Sequence, residues 1–249
     1  MIKPKICVPI TGKTIQEIEK ESREAKKSAA DIIEWRADYF SGISSGFNED
    51  TQKALKVINE AGKPVIFTLR LNGEGGAVKI PQNTRHSIML EAINLSAVNY
   101  IDIEFANGAD FISPLAQAAH RNNIKVIISG HDFTQTPQRD EIVSLLCEYG
   151  KNFADLVKIA VMPQRDSDVF MLLSAALKYS EMNGSLPLIA ISMGELGLSS
   201  RIYGGLFGSV LTFAQLNEAT APGQIPVERL EGILAELHKL PNGEAHRLI

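Results

Sequence analysis

The sequence predicts an α/β protein of the (β/α)8 TIM-barrel class, a single domain over residues 1–249 with a polar C-terminal tail at 240–249. A length of 249 residues suits one barrel. Eight short apolar runs rich in β-branched residues recur along the chain, and such runs are typical of strands buried on both faces of a parallel sheet. Their spacing of roughly 20–35 residues leaves room for one crossover helix after each strand.

The predicted strands and helix starts follow one another in order. The strands lie at residues 5–9, 32–36, 65–69, 100–104, 126–129, 156–160, 188–192 and 209–213. Between them, Thr14 and Glu17 form a capping-box pattern, and Ser113-Pro114 and Thr136-Pro137 each pair an N-cap residue with proline at the first helical position. A doubly wound open sheet is the rival fold, but residues 10–13 lack the Gly-rich turn that usually follows its first strand.

Composition limits the classes of function. A formal net charge of −4 and a pI near 5.8 offer no basic face to a nucleic-acid backbone. The two cysteines, Cys7 and Cys147, are far apart in sequence, which argues against a disulfide framework or zinc site and favours a reducing cytoplasm. No stretch approaches the ~18 apolar residues of a membrane span. We therefore expect a soluble cytoplasmic protein without nucleic-acid or membrane partners.

Polar side chains unsuited to a buried strand gather where the predicted strands end. In a barrel, the carboxyl ends of all strands meet at one face, and that face holds the active site. The sequence therefore predicts a catalytic mouth built from Glu34, Arg36, Arg70, Glu74, Asp102, Glu104, His131, Asp132, Lys158, Ser192 and Arg201.

Lys158 lies inside the apolar run 156–160, where burial disfavours a charged ammonium. One interpretation is structural: the lysine pairs with an inward carboxylate such as Glu34 or Glu104, or its head reaches solvent at the strand end. The other is catalytic: the amine attacks a carbonyl group and forms an imine. Taken alone, the residue supports both interpretations about equally.

His131 follows the apolar run 126–128 at the mouth, one strand away from Lys158. Its imidazole titrates near neutrality and suits general acid–base catalysis. A lone histidine at this place more often caps the following helix, but the neighbouring lysine favours a catalytic pair. The scattered His and Cys residues do not form a metal-binding pattern, so no metal is expected.

Three arginines accompany this pair. Arg36 and Arg70 end the second and third strands, and Arg201 follows the seventh strand in a Gly-rich segment. Surface salt-bridging is the usual role of a single arginine, but three at one mouth suit recognition of a substrate carboxylate. Residues 220–224 form either a lid over the site or a plain turn into the last helix. Together these residues indicate a barrel enzyme that uses lysine and histidine on a carbonyl-containing anion.

Short segments along the whole chain resemble the motifs of the type I 3-dehydroquinate dehydratases of the shikimate pathway. The similar segments are residues 34–40, 67–70, 74–76, 131–133, 158–163, 192–194, 200–201, 207–209 and 221–225. They occur in the family's order from about Ile6 to the last helix, so the resemblance covers nearly the whole sequence.

The resemblance implies the dehydration of 3-dehydroquinate to 3-dehydroshikimate in aromatic amino acid biosynthesis, without an added cofactor. Lys158 would form an imine with the C3 ketone, and His131 would remove the C2 proton and later protonate the departing C1 hydroxyl. Glu74 would orient the imidazole, and Arg201 would hold the carboxylate. The substrate-binding set would comprise Glu34, Arg36, Arg70, Arg201, Thr220 and Gln224. The family is typically dimeric, so a homodimer is expected.

Three features depart from the family pattern. Thr220 stands where serine is expected, and Pro9 replaces a serine that some members carry. Some members also have an extra β-hairpin before the first strand, which covers the bottom of the barrel. Another part of the chain would have to cover that end here, and residues 240–249 are a candidate. None of these departures involves Lys158 or His131.

Two alternatives compete with this hypothesis. Another Schiff-base lyase or aldolase on the same fold would use Lys158 to cleave a carbon–carbon bond. Such enzymes tend to carry phosphate-binding loops after the seventh and eighth strands, where this chain has Arg201 and Gln224. A non-catalytic metabolite-binding barrel would gain nothing from burying both Lys158 and His131.

Overall fold

Eight parallel strands form the inner layer of the structure, a computed structural model that describes residues 3–151, 153–217 and 223–239. They are β1 (Lys5–Ile10), β2 (Ile32–Arg36), β3 (Val65–Thr68), β4 (Tyr100–Glu104), β5 (Lys125–Asp132), β6 (Leu156–Val161), β7 (Leu188–Ser192) and β8 (Leu211–Phe213). Strands consecutive in sequence are neighbours from β1 to β7, and β8 pairs back with β1. A bridge between Leu188 and Ser209 joins β7 to the start of the last strand, so the sheet is a nearly closed barrel, as predicted.

Helices alternate with the strands and surround them. They are α1 (Ile15–Lys27), α2 (Glu49–Asn59), α3 (Gln82–Asn94), α4 (Ala109–Arg121), α5 (Arg139–Gly150), α6 (Asp166–Ser180), α7 (Leu198–Tyr203) and α8 (Val227–Lys239). The capping box predicted at α1 is confirmed, because the Thr14 side chain accepts the Glu17 N–H and the Glu17 carboxylate accepts the Thr14 N–H. Within the described ranges, no helix is long and apolar enough to cross a membrane.

Two predicted helix starts are wrong. The helix α4 begins ahead of Pro114, which lies inside it, and α5 begins after Pro137 with Gln138 at the N-cap. Neither Ser113 nor Thr136 is therefore an N-cap. In α4, the buried side chains that precede the proline belong to the same apolar face as the rest of the helix. Tertiary packing of that face outweighs the local proline signal.

Inward-pointing side chains change from apolar to polar between the bottom and the mouth of the barrel. Residues two apart on a strand share a face, so β2 presents Ile32, then Glu34, then Arg36 to the interior. The bottom level is apolar and includes Ile32, Ile66, Tyr100, Ile127 and Leu156. Outward side chains such as Trp35 form the larger core between strands and helices. The mouth is therefore the polar end of a barrel whose interior is otherwise apolar.

The departures from the family pattern fall in different places. Thr220 and the predicted tail at 240–249 lie outside the described residues. Pro9 is buried in β1 opposite Glu34 of β2. The register between β1 and β8 ends at the Cys7–Phe213 pair. The last backbone hydrogen bond between the two strands runs from the Ala214 N–H to the Cys7 carbonyl, and proline, which has no N–H, cannot donate the next one.

Candidate active site

The mouth of the barrel holds a half-open cavity lined by both charged and apolar side chains, a combination typical of sites for small molecules. Eight of the nine predicted site residues line it, and the ninth, Thr220, lies outside the described residues. The eight are Glu34, Arg36, Arg70, Glu74, His131, Lys158, Arg201 and Gln224. Apolar side chains complete the wall: Phe133, Ala160, Ile191, Met193 and Phe213.

Lys158 projects from the middle of β6 into this cavity. Its Nζ lies 2.9 Å from Asp102 Oδ2, 3.5 Å from Glu34 Oε1 and 4.8 Å from the centre of the Phe213 ring. Glu34 is itself held by the Thr68 hydroxyl at 2.9 Å. The lysine therefore has carboxylate partners, as its structural interpretation requires, while its amine still borders the cavity. Of the two carboxylates suggested for it, Glu34 is a partner and Glu104 is not.

Asp102 was predicted to lie at the mouth but was not predicted to be a catalytic or substrate-binding residue. Its carboxylate accepts two hydrogen bonds of 3.0 Å from Arg70 and one of 2.5 Å from the Ser129 hydroxyl. Burial alone would raise the pKa of Asp102, but Arg70 and Lys158 hold it well below its usual value. An acid in the middle of the apolar strand β4 is the sequence signal that singles it out.

Glu104 organises a second part of the network. It accepts hydrogen bonds from Arg70 at 3.0 Å, from Arg85 at 2.8 Å and from the Leu71 backbone N–H at 2.8 Å. Burial opposes the charge of Arg70, but Asp102 and Glu104 raise the pKa of its guanidinium above the ordinary value. Arg85, which was not predicted, thus helps to fix the loop that follows β3.

Glu74 and His131 form a hydrogen-bonded pair between that loop and β5. One carboxylate oxygen, Glu74 Oε2, accepts the His131 backbone N–H at 3.0 Å and lies 2.8 Å from His131 Nδ1. With Glu74 ionised, Nδ1 carries the proton and Nε2 retains a lone pair. Burial lowers the pKa of His131 well below its usual value, and the cations Arg70 and Lys158 lower it further. The imidazole is therefore neutral at neutral pH and able to accept a proton.

Arg36 holds the Glu74 loop from the side of β2. Its guanidinium donates to both oxygens of buried Asp38, at 2.9 and 2.8 Å, and to the Gly75 carbonyl at 3.2 Å. Gly75 has a φ of +83°, and a β-carbon there would lie 2.6 Å from the ring of Phe133. Only glycine fits this turn, so Arg36 and Phe133 confine the loop from two sides.

Arg201 enters the cavity wall from α7 and is almost fully buried. Its Nε donates to the Gly223 carbonyl at 2.9 Å. Burial lowers the pKa of Arg201 to about 10. Because this guanidinium has little contact with solvent, a bound anion such as a carboxylate would stabilise its charge strongly.

Four residues predicted at the mouth do not line the cavity: Asp102 and Glu104, described above, and Asp132 and Ser192. Asp132 accepts hydrogen bonds from Thr134 and from the Gln135 backbone and organises the turn after β5. Ser192 packs against α7, where its backbone N–H donates to the Ser200 hydroxyl at 3.0 Å. Both stabilise loops around the site. Over the described ranges, His, Cys, Asp and Glu do not cluster in a way that would hold a metal ion.

The arrangement combines three chemical capacities in one cavity. Lys158 supplies an amine for a carbonyl carbon, His131 supplies a neutral base, and Arg201 supplies a buried cation for a carboxylate. A small keto acid whose α-proton is to be removed needs all three groups.

Known proteins with similar sequences match almost the whole of this chain. A family model described as type I 3-dehydroquinase matches residues 6–241. The 3-dehydroquinate dehydratase of Clostridioides difficile (strain 630) is 40% identical over 245 residues, covering 96% of this chain and 94% of the relative. That of Escherichia coli O157:H7 is 37% identical over 238 residues, covering 95% and 94%.

Solved structures of such enzymes superpose closely on this chain. The type I 3-dehydroquinate dehydratase of Clostridium difficile with covalently modified comenic acid has a TM-score of 0.92 at 40% identity, covering 96% of this chain and 94% of that one. The 3-dehydroquinate dehydratase of Geobacillus kaustophilus has a TM-score of 0.87 at 30% identity, covering 96% and 93%. The carboxyl transferase domain of Rhizobium etli pyruvate carboxylase, at 13% identity and a TM-score of 0.69, shares the fold alone.

Proposed function

The chain belongs to the type I 3-dehydroquinase family, and from that premise we propose that Lys158 and His131 carry out its reaction. The reaction is the dehydration of 3-dehydroquinate to 3-dehydroshikimate, a hydro-lyase step of the shikimate pathway. The observation that carries the proposal is the shared cavity in which the Lys158 amine and a neutral imidazole meet.

Imine formation is the first proposed step. The Lys158 ammonium gives up a proton and attacks the C3 ketone as the amine; the hydroxyl of the resulting carbinolamine takes up a proton in return and leaves as water, which gives a protonated imine. His131 Nε2 then removes a proton from C2, and the electron pair of that C–H bond moves toward the imine nitrogen to give an enamine. The electrons return to expel the C1 hydroxyl, which leaves as water with the proton from His131. Hydrolysis of the product imine restores Lys158.

His131 suits both proton transfers because Glu74 fixes its orientation. The two contacts to Glu74 Oε2 leave Nε2 directed away from the carboxylate. A group with a pKa below neutrality accepts a proton from an activated C–H bond and releases it readily to a departing hydroxyl. The histidine thus ends each cycle in the state in which it began.

Substrate binding is assigned to the remaining polar residues of the wall. Arg201 would pair with the substrate carboxylate, for which its buried guanidinium is suited. The ring hydroxyls would contact Glu34, Arg36, Arg70, Gln224 and, outside the described residues, Thr220. Arg36 and Arg70 already bind protein carboxylates, so they would act from fixed positions with little loss of side-chain entropy.

Two further proposals concern the oligomeric state and the cellular location of the enzyme. A homodimer is proposed from the resemblance to the family. A cytoplasmic location is proposed because both Cys7 and Cys147 are free thiols, as is usual in a reducing compartment.

Borohydride trapping tests the proposed imine directly. Incubation with 3-dehydroquinate and borohydride should inactivate the enzyme and leave a reduced adduct on Lys158, located by peptide mass spectrometry. Lys158→Ala should form no adduct and lose turnover. His131→Ala should still form the adduct, while turnover falls about 10²–10⁴-fold, the usual contribution of a general acid–base group.

The control is Lys125→Ala, because Lys125 is exposed at the opposite end of the neighbouring strand β5. This variant should retain both adduct and turnover. An active wild-type preparation that gives no adduct would refute the imine. A product with a cleaved carbon–carbon bond, in place of the ultraviolet absorbance of the conjugated enone, would favour an aldolase.

A further inference from the structure

We propose that Asp102 is a positioning residue that stays hydrogen-bonded to Lys158 Nζ after the imine forms, keeping the imine protonated and fixing its plane. The inference rests on the proposed imine at Lys158 and adds a second residue to its chemistry. Asp102 has no exposed surface and does not border the cavity, whereas Lys158 does. Substrate therefore approaches Nζ from the open side, and Asp102 remains behind it throughout.

The Asp102 carboxylate is held so that it cannot rotate. Arg70 binds it in a fork, with Nη1–Oδ1 and Nη2–Oδ2 distances of 3.0 Å. The Ser129 hydroxyl donates to Oδ1 at 2.5 Å, and Nζ donates to Oδ2 at 2.9 Å. Four donors from three neighbouring elements thus fix both oxygens, which gives Oδ2 one orientation toward Nζ.

Imine formation changes the number of donors on Nζ. The ammonium group has three N–H bonds and contacts both Asp102 and Glu34, but a protonated imine retains one N–H, which lies in the plane of the C=N bond. Asp102 Oδ2 at 2.9 Å is the nearer acceptor, and Glu34 Oε1 at 3.5 Å also receives the Thr68 hydroxyl. The single N–H therefore points to Asp102, and this contact sets the rotation of the C=N plane.

That plane decides whether the C2 proton can leave. The C–H bond must stand perpendicular to the C=N plane for its electrons to enter the π system, so a fixed plane holds the substrate in a reactive orientation. The imine must also be protonated to accept those electrons. A buried carboxylate beside the nitrogen favours the cationic imine over the neutral one.

Other charged and titratable groups lie around Nζ, and the cation among them, Arg70, makes the loss of Asp102 more costly. Cys7 on β1 has its pKa raised by burial, so it stays neutral. Glu34 and Glu104 contribute negative charge from β2 and β4, while Arg70 contributes positive charge. His131 on β5 is neutral. Because Asp102 lies between the cations Arg70 and Lys158, its loss would leave them opposed without the carboxylate that both contact.

Cyanoborohydride, which reduces protonated imines selectively, measures the predicted effect. The rate of trapping with 3-dehydroquinate should fall at high pH as the imine loses its proton. In Asp102→Asn we expect the pH of half-maximal trapping to drop by at least about one unit, a tenfold easier proton loss. Turnover should fall at least about tenfold. Asp102→Glu retains the charge and should restore most of the pH dependence but not the full turnover.

The control is Lys125→Ala, because Lys125 is exposed at the opposite end of β5 and does not take part in the contacts that hold Asp102 or Nζ. Its half-maximal pH should match that of the wild type. Coincident profiles for Asp102→Asn and the wild type would overturn the inference while leaving the imine intact. Absence of any adduct in the wild type would instead overturn the proposed function.

A measurement on the wild type alone covers the case in which Asp102→Asn does not fold. The half-maximal pH for trapping on the enzyme should exceed, by at least about one unit, that of an imine formed in water between 3-dehydroquinate and a simple primary amine. Equal values would overturn the role assigned to Asp102.

Discussion

Two hydrogen bonds join Glu74 and His131, yet burial shifts the pKa values of the two residues in opposite directions. It raises the pKa of the Glu74 carboxyl to about 7, with a further contribution from Glu104, and it lowers the pKa of His131. The first proton taken up below neutrality therefore goes to the carboxyl, not to the ring. A protonated Glu74 is a weaker acceptor and can itself donate to Nδ1, so it no longer fixes Nε2 as the basic nitrogen.

We accordingly predict that the acid limb of the pH–activity profile reports Glu74. Because the ionised form is the active one and its pKa is raised, activity should be half-maximal near pH 7, approach its full value above that pH and approach a tenfold fall per unit below it. Glu74→Gln should shift this limb to lower pH, with reduced turnover at the plateau. The measurement is kcat/KM between pH 5 and 9. A limb that stays near pH 7 in Glu74→Gln would assign it to another group.

At the scale of secondary-structure elements, the strand ends were predictable but the partners of their charged residues were not. All eight predicted strands are present, and those of β2, β4 and β7 have the predicted bounds. Local alternation identifies inward residues such as Lys158 and Glu34. Whether Lys158 pairs with Asp102 or Glu104 depends on the register across β4, β5 and β6, which no local pattern encodes. The predicted helix start at Pro114 was wrong because tertiary packing of the apolar face of α4 determines where that helix begins.

The segment that begins at Gly223 depends on a close approach of two backbones. A β-carbon on Gly223 would lie 1.9 Å from the Gly194 carbonyl oxygen, and its φ is +76°. Gly223→Ala should therefore push away the carbonyl that Arg201 binds and the adjoining Gln224. We expect KM for 3-dehydroquinate to rise at least about tenfold, or 1.4 kcal/mol, with a smaller change in kcat.

The control for this prediction is Gly232→Ala in α8, where a β-carbon meets open space. This variant should keep KM unchanged and stabilise the protein by about 0.5–1 kcal/mol through helix propensity. An unchanged KM in Gly223→Ala, with the protein folded, would show that the segment does not position substrate-binding groups.

At the scale of the whole molecule, family and fold were both predicted, and both predictions are confirmed. The fold follows from eight regularly spaced apolar runs, and the family follows from motifs that lie at the strand ends. The ion-pair network beneath the mouth, with Asp38, Arg85 and Asp102, was not predicted as part of the site. These residues act on the groups that line the cavity, so their importance emerges only when the strands are assembled side by side.

Closure of the barrel is its least regular feature. Between β7 and β8 a single bridge, Leu188 with Ser209, is accompanied by a 2.8 Å hydrogen bond from Val210 N–H to the Leu188 carbonyl. The Ser209 hydroxyl supplies hydrogen bonds that the short strand β8 does not make to β7 through its backbone. It accepts the buried Ala190 N–H at 3.1 Å and donates to the Leu211 carbonyl at 3.1 Å. One side chain thus extends the ladder where the backbones diverge.

Ser209→Ala should therefore destabilise the folded protein by about 1–3 kcal/mol, because it leaves a buried N–H and a carbonyl without their partner. Urea denaturation would measure this as a lower midpoint with an unchanged slope. The matched control is Ser144→Ala on the exposed face of α5, where the hydroxyl bonds only to its own helix and the change should stay within about 0.5 kcal/mol. If both variants unfold at the same urea concentration, backbone pairing alone closes the barrel. A loss confined to Ser209→Ala, with Lys158 still trapped at the wild-type rate, would locate the effect in closure and not in the active site.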